Sequence, residues 1–558
     1  MAEELLLASP PMPSSVPSGS AAKALGAYYT AQEVADFLVW WAVRSPSDRV
    51  LDPSFGGGVF LRSACKRLKR LHGNPANQVF GIEIDPAVYQ RISEKLSEEF
   101  GVRHSHLYRV DFFDFDSAAA PVDAVVGNPP FIRYQRFKGE ARARALECAS
   151  REGVRLSELC SSWAPFLIHS IALLNPGGRL AMVVPAEIGH AAYARPVLEH
   201  LRKSFRSVSI ASFRKKLFPD LNEDTFLILA DGKGEGPGKF LHRDFANSGE
   251  LARFHQSSRR TVPQFEPVTA DMARQGMRFS ELFLPSEIRD LYRELKSNAQ
   301  VQELGQIADV GIGYVTGAND FFHLSPDEAH LWGIPDTFLR PAMRSGRGFR
   351  GVRVTRDDWS ASDPSFLLQL SAEQEHSPAI RRYLVEGARL GVPLAYKCRK
   401  RDPWYRVPHV YQADAFLTYM SGVAPRMVAN DMGAVAPNTL HVLRMRPEAP
   451  VNATSLAALW LTSLSRISAE IEGHSLGGGM LKLEPTEAGR VLIPGTLMDA
   501  GLAGELDQLL RAGRDADANS LVDDVVLRGG LGLSQLDCER LRQGAALLRE
   551  RRGGRGVA

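Results

Sequence analysis

Short apolar segments alternate with amphipathic ones along the first half of the chain, and this alternation restricts the fold more than any other sequence feature. Residues 49–52, 79–85 and 107–110 have the composition of strands, and residues 59–71 and 86–100 have helical spacing. A strand followed by a helix and another strand favours a parallel pair with the helix packed on its face. The order therefore predicts an α/β domain with a parallel sheet.

Two more predicted strands continue this alternation, and a predicted pair of adjacent strands follows them. Residues 122–126 and 179–184 are apolar runs that flank a helix predicted over residues 163–174. The runs 208–213 and 224–230 follow, with a Phe-Pro turn between them. That arrangement predicts an antiparallel hairpin at the edge of the sheet.

The first ordered segment is predicted to be a helix. Thr30 and Glu33 have the spacing of a capping box, and Val34 and Phe37 begin a repeat at helical spacing. Residues 1–24 are rich in Pro, Ser and Ala and are predicted to be disordered.

Composition excludes several classes of protein. Of 558 residues, 44% are hydrophobic and 23% are charged, as in ordinary globular proteins, and the net charge of +3 indicates no nucleic-acid partner by itself. The five cysteines form no CxxC pair, so we expect no disulfide framework, no metal site and a reducing cytoplasm. No apolar stretch approaches the length of a membrane span, so no membrane association is expected.

Acidic residues stand at the ends of three successive predicted strands. Asp52 precedes the glycines Gly56–Gly58, which allow a ligand to approach the backbone closely. Asp52 can bind the amino group of an amino-acid-like ligand, Glu83 can accept ribose hydroxyls, and Asp111 can accept a bond from an adenine amino group. Any one of these acids can equally be a solvated strand-end residue, but the three together favour a nucleoside pocket.

A tetrapeptide, Asn128-Pro129-Pro130-Phe131, follows the fourth predicted strand directly. The Asn128 side chain and the Pro129 carbonyl are acceptors, and the prolines stiffen the turn and remove backbone donors. Phe131 offers an aromatic face. This set suits a planar ring with an exocyclic amine, which needs two acceptors and a stacking partner.

The order of these motifs resembles the gamma-class adenine-N6 DNA methyltransferases of restriction–modification systems, including the TaqI-like type. GAYYT, LDPSFGGG, GIEID, VDFF and NPPF occur here in that family's order, and a large C-terminal region follows. The resemblance is detailed over residues 26–230 and looser over 280–500. One departure is Phe131, where the family often has Tyr.

The resemblance implies a fold and a domain order. The fold is α/β: a Rossmann-like class I methyltransferase domain with a mostly parallel seven-stranded sheet, then a C-terminal mixed α/β target-recognition domain. The implied boundaries are a disordered tail over 1–24, a catalytic domain over 25–240, a helical connector over 241–300, a recognition domain over 301–500 and a helical extension over 501–558. The last residues, RERRGGRGVA, are predicted to be a frayed basic tail.

The resemblance also implies an activity, which is transfer of a methyl group from S-adenosyl-L-methionine to N6 of a flipped-out adenine. The target base is expected to be held by Asn128, Pro129, Pro130 and Phe131, with Phe218 as a second stacking ring. The expected cofactor-binding residues are Tyr29, Thr30, Asp52, Pro53, Gly56, Gly58, Glu83, Ile84, Asp111, Phe112 and Asn128. For Phe218, an ordinary core position is the competing interpretation.

Basic residues cluster in three places and predict contacts with double-stranded DNA. The first cluster follows Phe131, the second lies in residues 340–356, and the third surrounds a Trp-Tyr pair in residues 397–406. The residues expected to contact DNA are Arg133, Arg136, Arg344, Arg350, Arg399, Lys400 and Trp404. The alternative interpretation of each cluster is a solvated charged surface.

Other functions remain open at this stage. NPP-type motifs also serve methyltransferases that act on RNA or on a protein glutamine, and N4-cytosine methylation is a variant that more often accompanies Ser at position 128. A bifunctional enzyme with its own nuclease and a catalytically silent DNA-binding subunit are further alternatives. The favoured hypothesis is a monomeric modification enzyme that has a cognate restriction endonuclease as a separate chain.

Overall fold

The chain divides into two compact units, Met1–Met277 and Arg278–Ala558, each with its own apolar core. The structure is a computed structural model. It describes residues 30–116, 121–189, 191, 193–218, 224–257, 265–268, 278–371, 377–476, 479–495 and 500–553. Within the described residues, no helix is long and apolar enough to cross a membrane.

The first unit is a nine-stranded sheet with helices packed against it. The strands are β1 (Val50–Asp52), β2 (Val79–Ile82), β3 (Leu107–Tyr108), β4 (Val122–Gly127), β5 (Leu174–Pro185), β6 (Phe205–Phe213), β7 (Thr225–Lys233), β8 (Lys239–Phe245) and β9 (Glu266–Val268). The helices are α1 (Gln32–Ala42), α2 (Val59–Arg70), α3 (Pro75–Gln78), α4 (Pro86–Phe100), α5 (Gly139–Arg151), α6 (Trp163–Ala172), α7 (Ala194–Ser204) and α8 (Ser248–Ser257).

The sheet has the order β3-β2-β1-β4-β5-β7-β6-β8-β9. It is mostly parallel, and the pairs β5–β7, β6–β7 and β8–β9 are antiparallel. Val50 of β1 lies opposite Val79 of β2 and Ala124 of β4. The carboxyl ends of β1, β2 and β4 therefore meet at one edge of the sheet, which is where an open α/β sheet binds ligands.

The predicted mostly parallel α/β sheet is confirmed, with two differences. The described residues of this sheet form nine strands rather than seven, because β8 starts at Lys239 and β9 at Glu266, and both extend into the span 241–300 where a helical connector was expected. The predicted hairpin exists as β6 and β7, but it lies inside the sheet because β8 covers β6. A strand beyond the hairpin leaves no signal in the hairpin's own residues.

Two local predictions at helix starts also differ from the structure. Helix α1 begins after Ala31 without a side-chain cap, so Thr30 does not form the expected capping box. Strand β2 ends at Ile82 rather than at Asp85, because the Asp85 carboxylate accepts hydrogen bonds from Ala87 and Val88 and caps helix α4.

The second unit contains several small sheets. Its strands are β10 (Val301–Glu303), β11 (Ala308–Ile312), β12 (His323–Leu324), β13 (Leu339–Ala342), β14 (Arg353–Val354), β15 (Ser365–Leu368), β16 (Ala415–Thr418), β17 (Met420–Ser421), β18 (Met427–Asn430), β19 (Leu440–Met445), β20 (His474–Ser475), β21 (Leu481–Lys482) and β22 (Leu492–Pro494). The largest sheet has the order β11-β19-β16-β18-β14. Smaller sheets have the orders β12-β15-β13, β17-β21-β20 and β10-β22.

Helices complete this unit. They are α9 (Ser286–Lys296), α10 (Leu304–Ile307), α11 (Asn319–Phe322), α12 (Pro326–Trp332), α13 (Arg356–Ser362), α14 (Pro378–Arg389), α15 (Ala453–Leu459), α16 (Ser463–Glu472), α17 (Pro485–Ala488), α18 (Ala500–Arg511), α19 (Asp515–Val522) and α20 (Gln535–Gly553). The mixed α/β character expected of the C-terminal region is therefore present. Most of residues 500–553 are helical, with breaks at 512–514 and 531–534 and a π-helical segment over Asp523–Gly530.

The last helix is part of the second core rather than a frayed tail. Cys538, Leu541 and Leu548 of α20 belong to the same apolar cluster as Leu464 and Ile467 of α16. Arg552 is 3% exposed and forms a bidentate ion pair with Glu470 at 2.9 Å. Up to Gly553 the predicted fraying is wrong, because the arginine has a buried partner that is remote in sequence. Residues 554–558 lie outside the described part.

Candidate active site

A glycine-rich loop connects β1 to α2 and forms one wall of the site. Gly56 and Gly58 have φ angles of +45° and +75°, which L side chains rarely adopt. A Cβ at Gly58 would lie 2.7 Å from Cγ2 of Ile92, so the close packing of this loop on α4 requires glycine. The Gly58 amide donates to the Phe55 carbonyl at 2.6 Å, which closes the turn.

Asp52 lies at the base of this loop and is fully buried. Its Oδ1 accepts a hydrogen bond from the Ser54 amide at 3.1 Å, whereas its Oδ2 is buried with no hydrogen-bond partner among the described residues. Burial raises the pKa of Asp52 to about 8, and the nearby Glu83 carboxylate adds to this rise. A buried carboxyl oxygen without a donor suits the cationic amino group of a ligand.

Glu83 and Ile84 follow β2 at the same edge of the sheet. The Glu83 carboxylate accepts hydrogen bonds from the amides of Gly56 and Asp85, both at 2.9 Å. It thus joins the glycine loop to the end of β2. Ile84 is 57% exposed, and an exposed apolar side chain beside a buried loop is available to cover an apolar ligand face.

Asp111 and Phe112 follow β3 and have different environments. Asp111 accepts a hydrogen bond from the Phe113 amide at 3.0 Å and pairs with Arg144 at 3.3 Å. Phe112 is 5% exposed, and its ring lies 4.3 Å from Phe166, measured between centroids. Phe112 is therefore mainly a core residue, and its predicted contact with a cofactor ring stays a prediction.

Asn128 begins the turn after β4. Its Nδ2 donates to the Thr30 hydroxyl at 3.2 Å, and its Oδ1 is buried without a hydrogen-bond partner in the described part of the chain. Gly127 precedes it, and a Cβ there would lie 3.0 Å from Oδ1 of Asp52. The two buried acceptors, Asp52 Oδ2 and Asn128 Oδ1, therefore belong to neighbouring strand ends.

Ser162 fixes the remainder of this turn, and the sequence analysis missed it. Its hydroxyl donates to the Pro130 carbonyl and accepts from the Ile132 amide at 2.9 Å, and its own amide donates to the Ile132 carbonyl at 3.0 Å. These bonds involve the residues on both sides of Phe131, so they hold the Phe131 backbone against the start of α6. No local sequence signal marks this serine, because it lies far from the turn in the chain.

Phe131 and Phe218 share one apolar environment. Phe218 is 8% exposed and belongs to the core cluster against which the half-buried Phe131 packs. The stacking role of Phe218 therefore stays a prediction beside its core role. Pro53 is also buried, and Tyr29 lies outside the described residues.

A family model described as N-6 DNA Methylase matches residues 18–193, which include the three strand-end acids and the Asn128–Phe131 turn. Residues 18–193 therefore belong to the N-6 DNA methylase family. A second model, described as the C-terminal domain of Type II methyltransferase M.Eco57I, matches residues 276–527 of this methylase. The family expected from the motifs is thereby confirmed, and the gamma class within it stays a prediction.

Individual relatives agree with this assignment. The methylase is 20% identical to Type II methyltransferase M.AccI of Acinetobacter calcoaceticus and 23% identical to M.XamI of Xanthomonas campestris pv. amaranthicola, with 86% of each chain covered in both cases. Among solved structures, the Type IIL restriction-modification enzyme MmeI in complex with DNA matches 93% of this chain and 75% of its own, with a TM-score of 0.54 and 11% identity. That likeness supports the fold.

A second group that the sequence analysis missed lies just past β5 of the methylase. The fully buried Trp163 donates its indole N–H to Glu187 at 3.2 Å and to the Tyr193 hydroxyl at 3.0 Å. Burial and the Glu187 carboxylate raise the pKa of Tyr193. These contacts hold the start of α6, and with it Ser162, against the loop after β5.

The structure separates the predicted DNA-contacting residues into exposed and internal ones. Most are exposed: Arg133, Arg136, Arg344, Arg350, Arg399 and Lys400. Trp404 is different, because it is half-buried and its ring lies 5.6 Å from that of Phe321 in an aromatic cluster. In the described residues, no group of three or more His, Cys, Asp or Glu side chains is placed to hold a metal ion.

Proposed function

We propose that this DNA methyltransferase transfers a methyl group from S-adenosyl-L-methionine to N6 of an adenine that has rotated out of the DNA duplex. The observation that carries the proposal is the pair of buried acceptors without donors at adjacent strand ends, Asp52 Oδ2 and Asn128 Oδ1. Buried polar atoms rarely stay unpaired, so each is expected to receive a donor from a ligand. The gamma class is the subfamily that the order of the sequence motifs favours.

The residues around Asp52 fit the methyl donor. The ammonium group of its methionine part would pair with Asp52 while the glycine loop follows its backbone. Glu83 uses two hydrogen bonds internally, and a carboxylate has about four acceptor positions, so it retains capacity for ribose hydroxyls. Ile84 would cover the donor's adenine, and Asp111 would accept from its amino group.

The residues around Asn128 fit the target base. Asn128 Oδ1 and the Pro129 carbonyl would accept the two N–H groups of the adenine amine. Rotation of the base out of the duplex costs a few kcal/mol, and stacking on Phe131, with Phe218 as the second ring, can offset about 1–3 kcal/mol per base. Thr30 accepts from the other end of the Asn128 amide and so keeps Oδ1 directed at the base.

The reaction needs little beyond this positioning. When bound, S-adenosyl-L-methionine supplies a sulfonium-activated methyl group. The adenine nitrogen is a weak nucleophile because its lone pair is delocalised into the ring, and the acceptors on Asn128 and Pro129 would favour a localised lone pair. The base held by Asn128 and Pro129 would accept the methyl group as the donor's S–C bond breaks, and the surplus proton would leave to solvent. Orientation and preorganised acceptors would account for most of the acceleration.

The setting that this activity favours is a restriction–modification system. The named relatives are Type II methyltransferases, which supports a role as the modification component. We propose double-stranded DNA as the substrate, a separate chain as the cognate endonuclease, a monomeric enzyme and a cytoplasmic location. Light scattering of the purified chain tests the monomer, and two copies per particle would contradict it.

The decisive experiment is the sequencing of methylated bases in DNA from cells that express the wild type or Asn128→Ala. We expect N6-methyladenine in one sequence context for the wild type and a loss of about 100-fold or more for the variant. Asn77→Ala, an exposed asparagine of the same unit, is the matched control. Full activity of Asn128→Ala, or labelled methyl groups found on RNA or protein instead of DNA, would contradict the proposal.

A further inference from the structure

The second unit carries a strongly basic segment, Arg389–Arg401, with the sequence RLGVPLAYKCRKR. It contains five cationic residues and no acidic one. Glu386, which precedes it, is already paired with Arg389 at 2.6 Å. The cations at the other end of the segment, Lys397, Arg399 and Lys400, are exposed.

The same segment exposes large apolar side chains. Leu394 is 79% exposed and Tyr396 is 64% exposed. Arg399 and Lys397 flank the Tyr396 ring, with their charged groups 5.5 Å and 5.9 Å from its centroid. An exposed leucine and an aromatic ring among cations form a surface that is both apolar and positively charged.

The C-terminal end of the segment is anchored to a neighbouring loop, which holds the backbone of this end in place. The Arg401 guanidinium donates to the carbonyls of Val315 and Thr316, both at 2.6 Å. A Cβ at Gly317 would lie 2.6 Å from Cβ of Lys397, so the two loops are in close contact there. Ordering of the segment on binding would therefore cost little conformational entropy.

The aromatic residue expected from sequence to stack on DNA lies elsewhere. Trp404 packs on Phe321, and a Cβ at Gly387 would lie 3.0 Å from the Trp404 ring. The tryptophan therefore supports the fold of this region, and the exposed ring nearest the cations is Tyr396.

We propose that Leu394 and Tyr396 insert into a groove of double-stranded DNA, where Tyr396 stacks on a base and Leu394 wedges between bases, while Lys397, Arg399 and Lys400 bind the flanking phosphates. This inference rests on the proposed function, in which DNA is the substrate. DNA matches the surface because phosphates need exposed cations, and apolar or aromatic side chains stack on or wedge between bases. Leu394 and Tyr396 thereby become determinants of DNA affinity.

Binding measurements on single variants test the apolar part. The probe is a fluorescein-labelled duplex that carries the sequence methylated by the wild type, and affinity is measured by anisotropy. Tyr396→Ala should bind about 5- to 150-fold more weakly, as expected for loss of one stacked base, and Tyr396→Phe should bind nearly as well as the wild type. Leu331→Ala, an 81% exposed leucine on α12, is the matched control.

The salt dependence of binding separates the roles of the cations and the apolar side chains. Replacement of Lys397, Arg399 and Lys400 by Gln should lower the slope of log affinity against log salt by about 0.9 for each phosphate that is no longer neutralised. Tyr396→Ala and Leu394→Ala should leave this slope unchanged while the affinity falls. Thermal melting of each variant verifies that it is folded.

Two outcomes are distinguishable. If the wild type methylates DNA but Tyr396→Ala and Leu394→Ala bind the duplex as tightly as Leu331→Ala, the inference is overturned and the surface is left for a protein partner. If the wild type methylates no DNA at all, the proposed function fails and this inference fails with it.

Discussion

At the residue scale, the burial of Asp52 that suits its proposed role in ligand binding lowers the stability of the unliganded protein. Its carboxyl group is fully buried beside Glu83, and one of its oxygens has no hydrogen-bond donor within the described structure. A buried carboxyl without a cationic partner favours its neutral form, so its pKa rises to about 8. A cationic ligand group reverses this preference because it stabilises the ionised form.

We therefore expect the affinity for S-adenosyl-L-methionine to depend on pH. Below pH 8 binding must displace a proton from Asp52, so the affinity should rise with pH by up to about tenfold per unit and level off above pH 8. Titration calorimetry with S-adenosyl-L-methionine, repeated in buffers that differ in ionisation enthalpy, measures the number of protons released on binding. Asp52→Asn should bind the donor weakly at every pH, and an unchanged affinity in this variant would contradict the assignment.

The same group predicts an opposite effect on stability. Because the pKa in the folded state lies above that of the unfolded chain, the folded protein keeps a proton that the unfolded chain releases between about pH 4 and pH 8. The wild type should lose stability as pH rises through that window. Asp52→Asn should be the more stable protein at pH 8 without ligand, by up to a few kcal/mol, which urea unfolding at several pH values checks.

Ser162 provides a prediction about positioning. Ser162→Ala leaves the Pro130 carbonyl and the Ile132 amide without their partner, which costs about 1–3 kcal/mol and loosens the turn around Phe131. We expect kcat to fall about tenfold or more while the donor Kd stays unchanged. Ser170→Ala is the control, since that hydroxyl donates to the Phe166 carbonyl within its own helix α6 and forms no hydrogen bond with the turn in the described structure. Equal kcat values for the two variants would refute the role.

At the scale of elements, helix α20 illustrates a buried ion pair between segments remote in sequence. Arg552 and Glu470 are 3% and 8% exposed, and the guanidinium also donates to the Gly422 and Val423 carbonyls at 2.8 Å and 2.6 Å. Burial raises the pKa of Glu470, and Arg552 opposes that rise. The ion pair therefore holds the end of α20 against α16.

Removal of one partner should therefore destabilise the second unit. Arg552→Ala leaves a buried carboxylate unpaired, which costs about 3–5 kcal/mol, measured by urea unfolding. The exposed Arg549→Ala on the same helix should change stability by less than about 0.5 kcal/mol. If the cost comes from the unpaired buried charge, the double variant Glu470→Met, Arg552→Met should recover most of the lost free energy of unfolding. A double variant that is as unstable as Arg552→Ala would show that packing is responsible instead.

Element prediction succeeded where the signal is local. Helix α4 follows from its apolar spacing, and Asp85 and Pro86 mark its start. Strands β8 and β9 were not predicted, because their pairing depends on β6, whose own residues indicate only a hairpin at an edge. A strand's place in a sheet is set by partners that its own residues do not reveal.

At the scale of the whole molecule, the two compact units have separate cores. All residues proposed to hold the methyl donor lie in the first unit. We therefore expect saturating donor to shift the thermal unfolding of the first unit alone, with about 2.7 kcal/mol of added stability at one hundred times Kd. Calorimetry with and without donor checks this, with Asp52→Asn as the control. An equal shift of both units would contradict it.

The sequence by itself determined which side chains meet at the candidate site. Asp52 is the last residue of β1, and Glu83 and Asn128 directly follow β2 and β4. Parallel strands bring their carboxyl ends to one edge of a sheet, so these three residues lie close together. The tertiary structure alone decided which atoms remain unpaired there, that Ser162 clamps the turn, and that Tyr396 rather than Trp404 faces solvent. Those outcomes depend on contacts between segments distant in sequence, and periodicity and motifs report only on neighbours along the chain.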